Sequence, residues 1–498
     1  MNNVPAVLRS LITFALIVPL AVFVGYMLTK PLSFSTLAIF GVLLLALLSP
    51  LLMRWHYPLM LLCWNMSAIA FFVQGAPAFS LVMIALSLGI SVLERMLRLE
   101  KQFIRVPQIT WPLLFLVGVV LFTAKMTGGF GLRAFGSEVY GGKKYVFLIV
   151  GILGYFALTA RRISPQQVGL YVALFLLGGV TSFIGDLYPI IPSGLHFIFW
   201  IFPPQRYEGE FVIGTTRLFG VSIAAGAFFY YMMARFGIRG IFMGGKPWRL
   251  VATVLFLMVS CLGGFRGGLL GAMLFFLIQF FLEGLHRTKL LPMLATIGAL
   301  LVVLLIPLAP KLPFTFQRSL SFLPLPLDPA TKMLAAESSE WRIEMWKALL
   351  PQIPQHLLVG KGYAISMEDY QMMSYGSAFK AVDPSQQGLA LAGDYHNGPL
   401  SVILPFGIWG VIAFVWFLAA GSRVVYRNYR YSDPSLQIIN TFLLASFIVQ
   451  VVFFLFIFGA FNGDMAKFVS TLGLSVALNG GVCHPLGTMP PKPQTNSQ

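Results

Sequence analysis

Apolar runs close to bilayer length recur along this whole chain, and nothing constrains its fold more. They lie near 9–29, 32–53, 58–74, 78–93, 110–125, 144–160, 166–186, 212–234, 250–265, 267–285, 289–309, 398–421, 436–459 and 467–482. In hydrocarbon every backbone N–H and C=O must find an internal partner, so such runs are read as helices. Runs such as 58–93 and 250–285 divide in more than one way. The expectation is an all-α, polytopic integral membrane protein with about 12–14 transmembrane helices and one large external loop containing short helices. Composition agrees: 10% of residues are charged, against roughly 25% in soluble domains.

The runs divide the chain into spans with short loops over 1–309, a large loop over 310–397, further spans over 398–482 and a polar tail over 483–498, expected to be disordered. Met1 to Arg9 followed by an apolar run resembles a signal peptide. It lacks a small-residue cleavage site and a second run follows at once, so it is read as a retained first helix.

The formal net charge of +17 falls largely in short inter-helix segments. If spans alternate, Arg54; Arg95, Arg98, Lys101 and Arg105; Arg161 and Arg162; Arg235, Arg239, Lys246 and Arg249; Arg287 and Lys289; and Arg423, Arg427 and Arg430 share one side. That side is the cytoplasm by the positive-inside rule, with anionic membrane lipid as the partner of the charge. Lys125, Arg133, Lys143 and Lys144 break the pattern, because their loop falls outside. No basic, aromatic-interleaved soluble segment exists to bind nucleic acid. Cys63, Cys261 and Cys483 are far apart and form neither a disulfide framework nor a metal-ligand spacing.

Residues 336–410 leave the apolar background, turn polar and return to it, which marks an external loop roofing a membrane-embedded site. Asp328-Pro329 and Asp383-Pro384 each place a capping carboxylate before a proline at the first helical position. Between them Trp341, Met345, Leu349 and Ile353 form a stripe at four-residue spacing. That helix either lies in the membrane interface, tryptophans down, or packs on its own domain.

Three ionisable positions stand out. Arg217 falls within the run 212–234, where it either snorkels or serves a function worth a cost of up to about 3 kcal/mol at the bilayer centre. Arg266 sits in a glycine-framed turn, Gly263-Gly264-Phe265-Arg266-Gly267-Gly268. The turn is either a plain helical hairpin or a phosphate site. His396, followed by Asn397-Gly398-Pro399 and preceded by Asp394, is either a capping residue or a base near neutral pH. Arg342 accompanies them in the loop. There is no HExxH, P-loop, G-x-S-x-G or D-x-D pattern, so any reaction is expected to need no metal and no cofactor, with arginine charge in the metal's place.

These residues resemble the bacterial O-antigen ligase and O-antigen polymerase superfamily. The resemblance rests on Arg217-Leu218-Phe219-Gly220, Arg266-Gly267, Arg342 with Trp346, Gly360-Lys361-Gly362, His396-Asn397 and Gly407-Ile408-Trp409-Gly410, in that order over 212–410. Phe265 departs from the serine usual before the turn arginine, and Pro405-Phe406 from an acidic residue. The resemblance implies transfer of a glycan from an undecaprenyl-pyrophosphate carrier to an acceptor hydroxyl, at the periplasmic face of the bacterial inner membrane. The acceptor is another glycan, lipid A–core or a protein. It casts His396 as base, Arg266 and Arg342 as catalytic cations, and Arg217, Asn397 and Asp394 as substrate-binding groups. The rival reading is a transporter or flippase of lipid-linked saccharides, which calls for ionisable groups lining a path through several spans.

Overall fold

The structure, a computed structural model, describes residues 34–73, 75–97, 103–128, 141–204, 217–365 and 395–485, together with Val18, Ala21, Val22 and Gly25. The expected span at 9–29, the helix start at Asp383-Pro384, Asp394 and most of the tail lie outside these residues. The described chain is helical, with one isolated bridge between Ile69 and Ala78. Eight of its helices are long and apolar enough to cross a membrane, and two further apolar helices are shorter. This is an all-α, multi-pass membrane protein.

The chain forms two compact units, 1–57 and 58–498. Helix α1 spans Phe34–Trp64. Two spans were expected there, but Arg54-Trp55-His56 interrupts the apolar run without interrupting the helix, since neither arginine nor an aromatic residue breaks one. In the second unit follow α2 (Phe79–Leu97), α3 (Pro107–Met126), α4 (Gly142–Thr159), α5 (Pro165–Asp186) and α6 (Phe219–Phe242). Then come α7 (Pro247–Ser260), α8 (Arg266–Leu282), α9 (Leu290–Leu308), α10 (Phe314–Ser319), α11 (Pro329–Leu349), α12 (Gly398–Tyr431), α13 (Gln437–Val452) and α14 (Phe461–Asn479).

The core lies between α3, α4, α12, α13 and α14. Helix α14 is its hub, with Phe468, Val469, Leu472 and Val476 fully enclosed. Beyond α14, the Cys483 N–H donates to Asn428 Oδ1 at 2.8 Å. By contrast α9 is exposed along nearly its whole length; only its ends, at Leu290 and Ala309, are buried.

Two helices are broken at glycines. In α6 the break is Gly237, at φ 63°. The freed N–H groups of Ile238 and Arg239 both donate to the Glu283 carboxylate at 2.8 Å, and Gln279 donates to the same carboxylate. In α12 the break is Gly407, at φ 61°. There Leu404 O accepts from the Lys361 N–H (2.7 Å), Pro405 O from the Gly362 N–H (3.0 Å), and the Ile408 N–H donates to Leu357 O (2.7 Å). The segment 357–362 thus replaces the lost helical bonds, as irregular backbone inside a membrane protein requires. A Cβ at Gly360 would stand 2.2 Å from Pro405 O, and one at Gly407 2.4 Å from Leu357 O. Two of the sequence motifs, Gly-x-Gly and Gly-x-x-Gly, are therefore halves of one backbone lock. Pro405 and Phe406, the departure from the usual acidic residue, are buried in it.

The basic residues expected to be out of place at the start of α4 also find partners. Lys144 lies over the Tyr363 ring, its Nζ 5.6 Å from the centroid, and Tyr145 Oη accepts from the Tyr363 N–H at 2.7 Å.

Candidate active site

The turn between α7 and α8 gathers the first two arginines. Residues Cys261–Gly263 make a single 3-10 turn, Gly264 adopts φ 65°, Phe265 is extended, and Arg266 opens α8. Arg217 does not lie within a span: α6 begins at Phe219, so the arginine precedes the helix and avoids the cost of mid-bilayer burial. The start of α6 is fixed by Asp186, whose Oδ2 accepts from the Val221 N–H at 2.7 Å. Arg217 Nε donates to Gly263 O at 2.8 Å. Its Cζ lies 4.3 Å from the Phe219 ring centroid and 5.0 Å from that of Phe265. Phe265, which stands where a serine is usual, thus gives up a helix cap and helps seat Arg217.

Arg266 reaches the loop. Its two terminal nitrogens donate to Ala335 O (3.2 Å) and Ser338 Oγ (3.3 Å), both on α11. Helix α11 starts as its sequence indicates, with Asp328 Oδ1 accepting from the Ala330 N–H at 2.8 Å ahead of Pro329. Short α10 docks beneath it. Ser319 Oγ, fully buried, donates to Cys261 O at 3.1 Å, and Gln317 accepts from the Asp328 N–H at 2.9 Å. This docking brings up Arg318, a cation that sequence reasoning missed. Arg318 Cδ lies 3.7 Å, and Arg217 Nε 3.1 Å, from where a Cβ on Gly264 would stand. Its only signal in the sequence was one more basic residue in a loop.

Arg342 lies on α11 one helical turn beyond Ser338. It is half-buried, and burial first, then the Arg266 charge, lower its guanidinium pKa from the ordinary value. Its Nε is buried without a hydrogen-bond partner among the described residues. The Trp341–Met345–Leu349–Ile353 stripe takes the second of its two readings, packing within the protein. It packs with Tyr395, Leu400 and Leu404 at the start of α12.

That packing carries α11 to His396, which adopts φ 49°, one of two non-glycine residues at positive φ among those described. Such strain persists only where the surroundings hold it. Trp346 Nε1 supplies one restraint by donating to Tyr395 O at 2.8 Å. Asn397 supplies another, its Oδ1 capping α12 through the Leu400 N–H at 3.0 Å. The side chain cast as substrate-binding thus has its oxygen engaged by the helix end. Asp394, the other suggested orienting group, lies outside the described residues. The His396 ring lies 5.6 Å from Trp341, edge to face, and 4.8 Å from Phe458. Arg342 Cζ lies 5.7 Å from the same Phe458 ring. The structure therefore links the sequence-derived residues in series: Arg217 and Arg266 through their shared turn, Arg266 and Arg342 through α11, and Arg342 and His396 through one phenylalanine.

Among the described residues no three His, Cys, Asp or Glu side chains gather as a metal site. A cavity of about 400 Å³ between α3 and α12, walled by Leu114, Phe115, Phe122, Leu358, Phe406 and Trp409, is apolar and involves none of the four arginines. At the cationic end, a guanidinium cluster beside an imidazole can bind an anionic group and accept a proton.

No curated protein matches the chain. Residues 251–415 match the model of a family described as O-antigen ligase. That match supports glycan transfer of the ligase or polymerase type and contains Arg266, Arg318, Arg342 and His396. Over these residues the chain is similar to the O-antigen ligase family.

Proposed function

We propose that the protein transfers a glycan from an undecaprenyl-pyrophosphate carrier to an acceptor hydroxyl at the periplasmic face of the bacterial inner membrane. His396 accepts the proton of the acceptor hydroxyl as its oxygen forms a bond to the anomeric carbon. The bond from that carbon to the carrier's terminal phosphate oxygen breaks, and the electron pair leaves with the pyrophosphate. Attack opposite the leaving group inverts the configuration. Arg266, Arg342 and Arg217 offset the negative charge that builds on the departing group, and Arg318 stands beside them. Fixed guanidinium charge does this without a metal. The acceptor is a glycan, lipid A–core or a protein hydroxyl.

One observation carries the reading: the only histidine of the loop with a strained backbone shares an aromatic ring with Arg342, whose helix is tied to Arg266. Purified protein in nanodiscs with a lipid-linked donor provides the test. His396→Ala and Arg266→Ala are each expected to lose about 10²–10³-fold in transfer, with membrane insertion kept, and EDTA is expected to leave the wild type unchanged. Wild-type transfer by either variant would refute the assignment.

The broken helices α6 and α12 speak for the transporter reading, because interrupted spans often build substrate sites in transporters. Here, however, the freed groups named above at Gly237 are taken by Glu283 and those at Gly407 by residues 357–362. Flipping of the lipid-linked saccharide without transfer would favour the rival.

A further inference from the structure

Phe458 lies outside the family match and outside every motif that marks the chain. It follows the single π-helical turn Phe453–Ile457 at the end of α13, with its N–H donating to Phe453 O at 2.9 Å. Its neighbour Gly459 crosses Gly398 at backbone contact: a Cβ on Gly459 would stand 2.6 Å from Gly398 Cα. A Cβ on Gly398 would stand 2.0 Å from Phe454 O. Only glycines permit that crossing, and it sets the residue before Gly459 against the residue two before Gly398. The rings of Phe458 and His396 consequently sit 4.8 Å apart at 34°, and Arg342 Cζ lies 5.7 Å from the same phenylalanine ring.

The proposed chemistry sets a problem that this ring addresses. A base that takes up a proton becomes a cation, and a neighbouring guanidinium disfavours that cation. Of the other charged groups on the elements around His396, Glu340, Glu344 and Lys347 lie on the exposed side of α11. Asp464 on α14 accepts from the Ala460 N–H and pairs with Lys467. The π face of an aromatic ring, by contrast, attracts a cation at close range without adding a charge to the site.

We infer that Phe458 is a positioning residue of the transfer reaction: its ring holds the His396 imidazole and the Arg342 guanidinium at a set separation and offers its π face to the imidazolium formed during transfer. This rests on the reading of His396 as proton acceptor. Trp341 also meets the imidazole, edge to face at 5.6 Å.

The test uses full-length protein in nanodiscs with the lipid-linked donor, comparing Phe458→Leu, Phe458→Tyr and the wild type across pH. Phe458→Leu keeps an apolar side chain but removes the π face. It is expected to lower kcat about tenfold, to leave KM for the donor within about twofold, and to move the acid limb of the rate profile down by about half a pH unit. Phe458→Tyr keeps the ring and is expected to restore both. A fall in kcat with the acid limb unmoved shows a packing role only and overturns the inference, as does an unchanged Phe458→Leu rate. If Phe458→Leu is silent while His396→Ala and Arg342→Ala abolish transfer, the inference fails and the transfer reading stands. Wild-type activity in His396→Ala removes both.

Discussion

At the scale of single residues, the site depends on side chains held by backbone atoms. Arg217 is tied to Gly263 O and Arg266 to Ala335 O. The carbonyl before His396 is tied to Trp346. Such pre-ordering is what lets fixed charge act without reorganisation. Arg318 belongs to this group by position, since Gly264 is the space between it and Arg217. Arg318→Ala is expected to lower transfer by about 10²-fold, with the fall expressed in kcat and thermal stability unchanged within a degree or two. Steady-state kinetics and a melting curve on the same preparation check both parts. A rate equal to wild type would place Arg318 outside the anion site.

At the scale of elements, the interrupted helix α12 governs the geometry. Its first part carries the His396 turn at one end and the lock to residues 357–362 at the other. Helix α11 packs across that part through Met345 and Leu349, which brings Trp346 to the carbonyl before His396 and Arg342 to the ring of Phe458. Gly407→Ala should loosen the whole arrangement. The new Cβ meets Leu357 O, and alanine is strained at φ 61°, a combined cost of about 2 kcal/mol or more. The expected result is a lower melting temperature together with lost transfer, whereas Gly298→Ala on exposed α9, where a Cβ meets nothing within 4 Å, should leave both intact. Differential scanning fluorimetry of the two variants checks this.

At the scale of the whole molecule, charge is distributed between the two ends of the helical array. Arg217, Arg266 and Arg342 are individually held near the loop, while Arg423, Arg427 and Arg430 lie in the last turns of α12 itself. The positive-inside rule then gives an orientation that can be tested. Lys347→Cys on exposed α11 is expected to react with an impermeant maleimide in cells whose outer barrier alone has been opened. Arg430→Cys is expected to react only after the inner membrane is permeabilised. The reverse pattern would invert the protein and remove the periplasmic site.

The sequence by itself determined the helical class, most of the spans, the Asp328 cap and the handful of ionisable residues worth examining. These are local signals: apolar length, side-chain spacing and cap chemistry act between near neighbours in the chain. It gave two readings for the Trp341–Ile353 stripe and placed Arg217 inside a span, because hydropathy does not locate a helix start when the capping group, Asp186, comes from another element. Only the tertiary structure decided that Arg318 joins the arginines and that two glycine motifs form one lock. It also singled out Phe458, one of 46 phenylalanines, as the ring that meets both His396 and Arg342. Those relations arise from backbone crossings between distant segments, such as Gly398 with Gly459, and no pattern along one stretch of chain encodes which distant glycine it will meet.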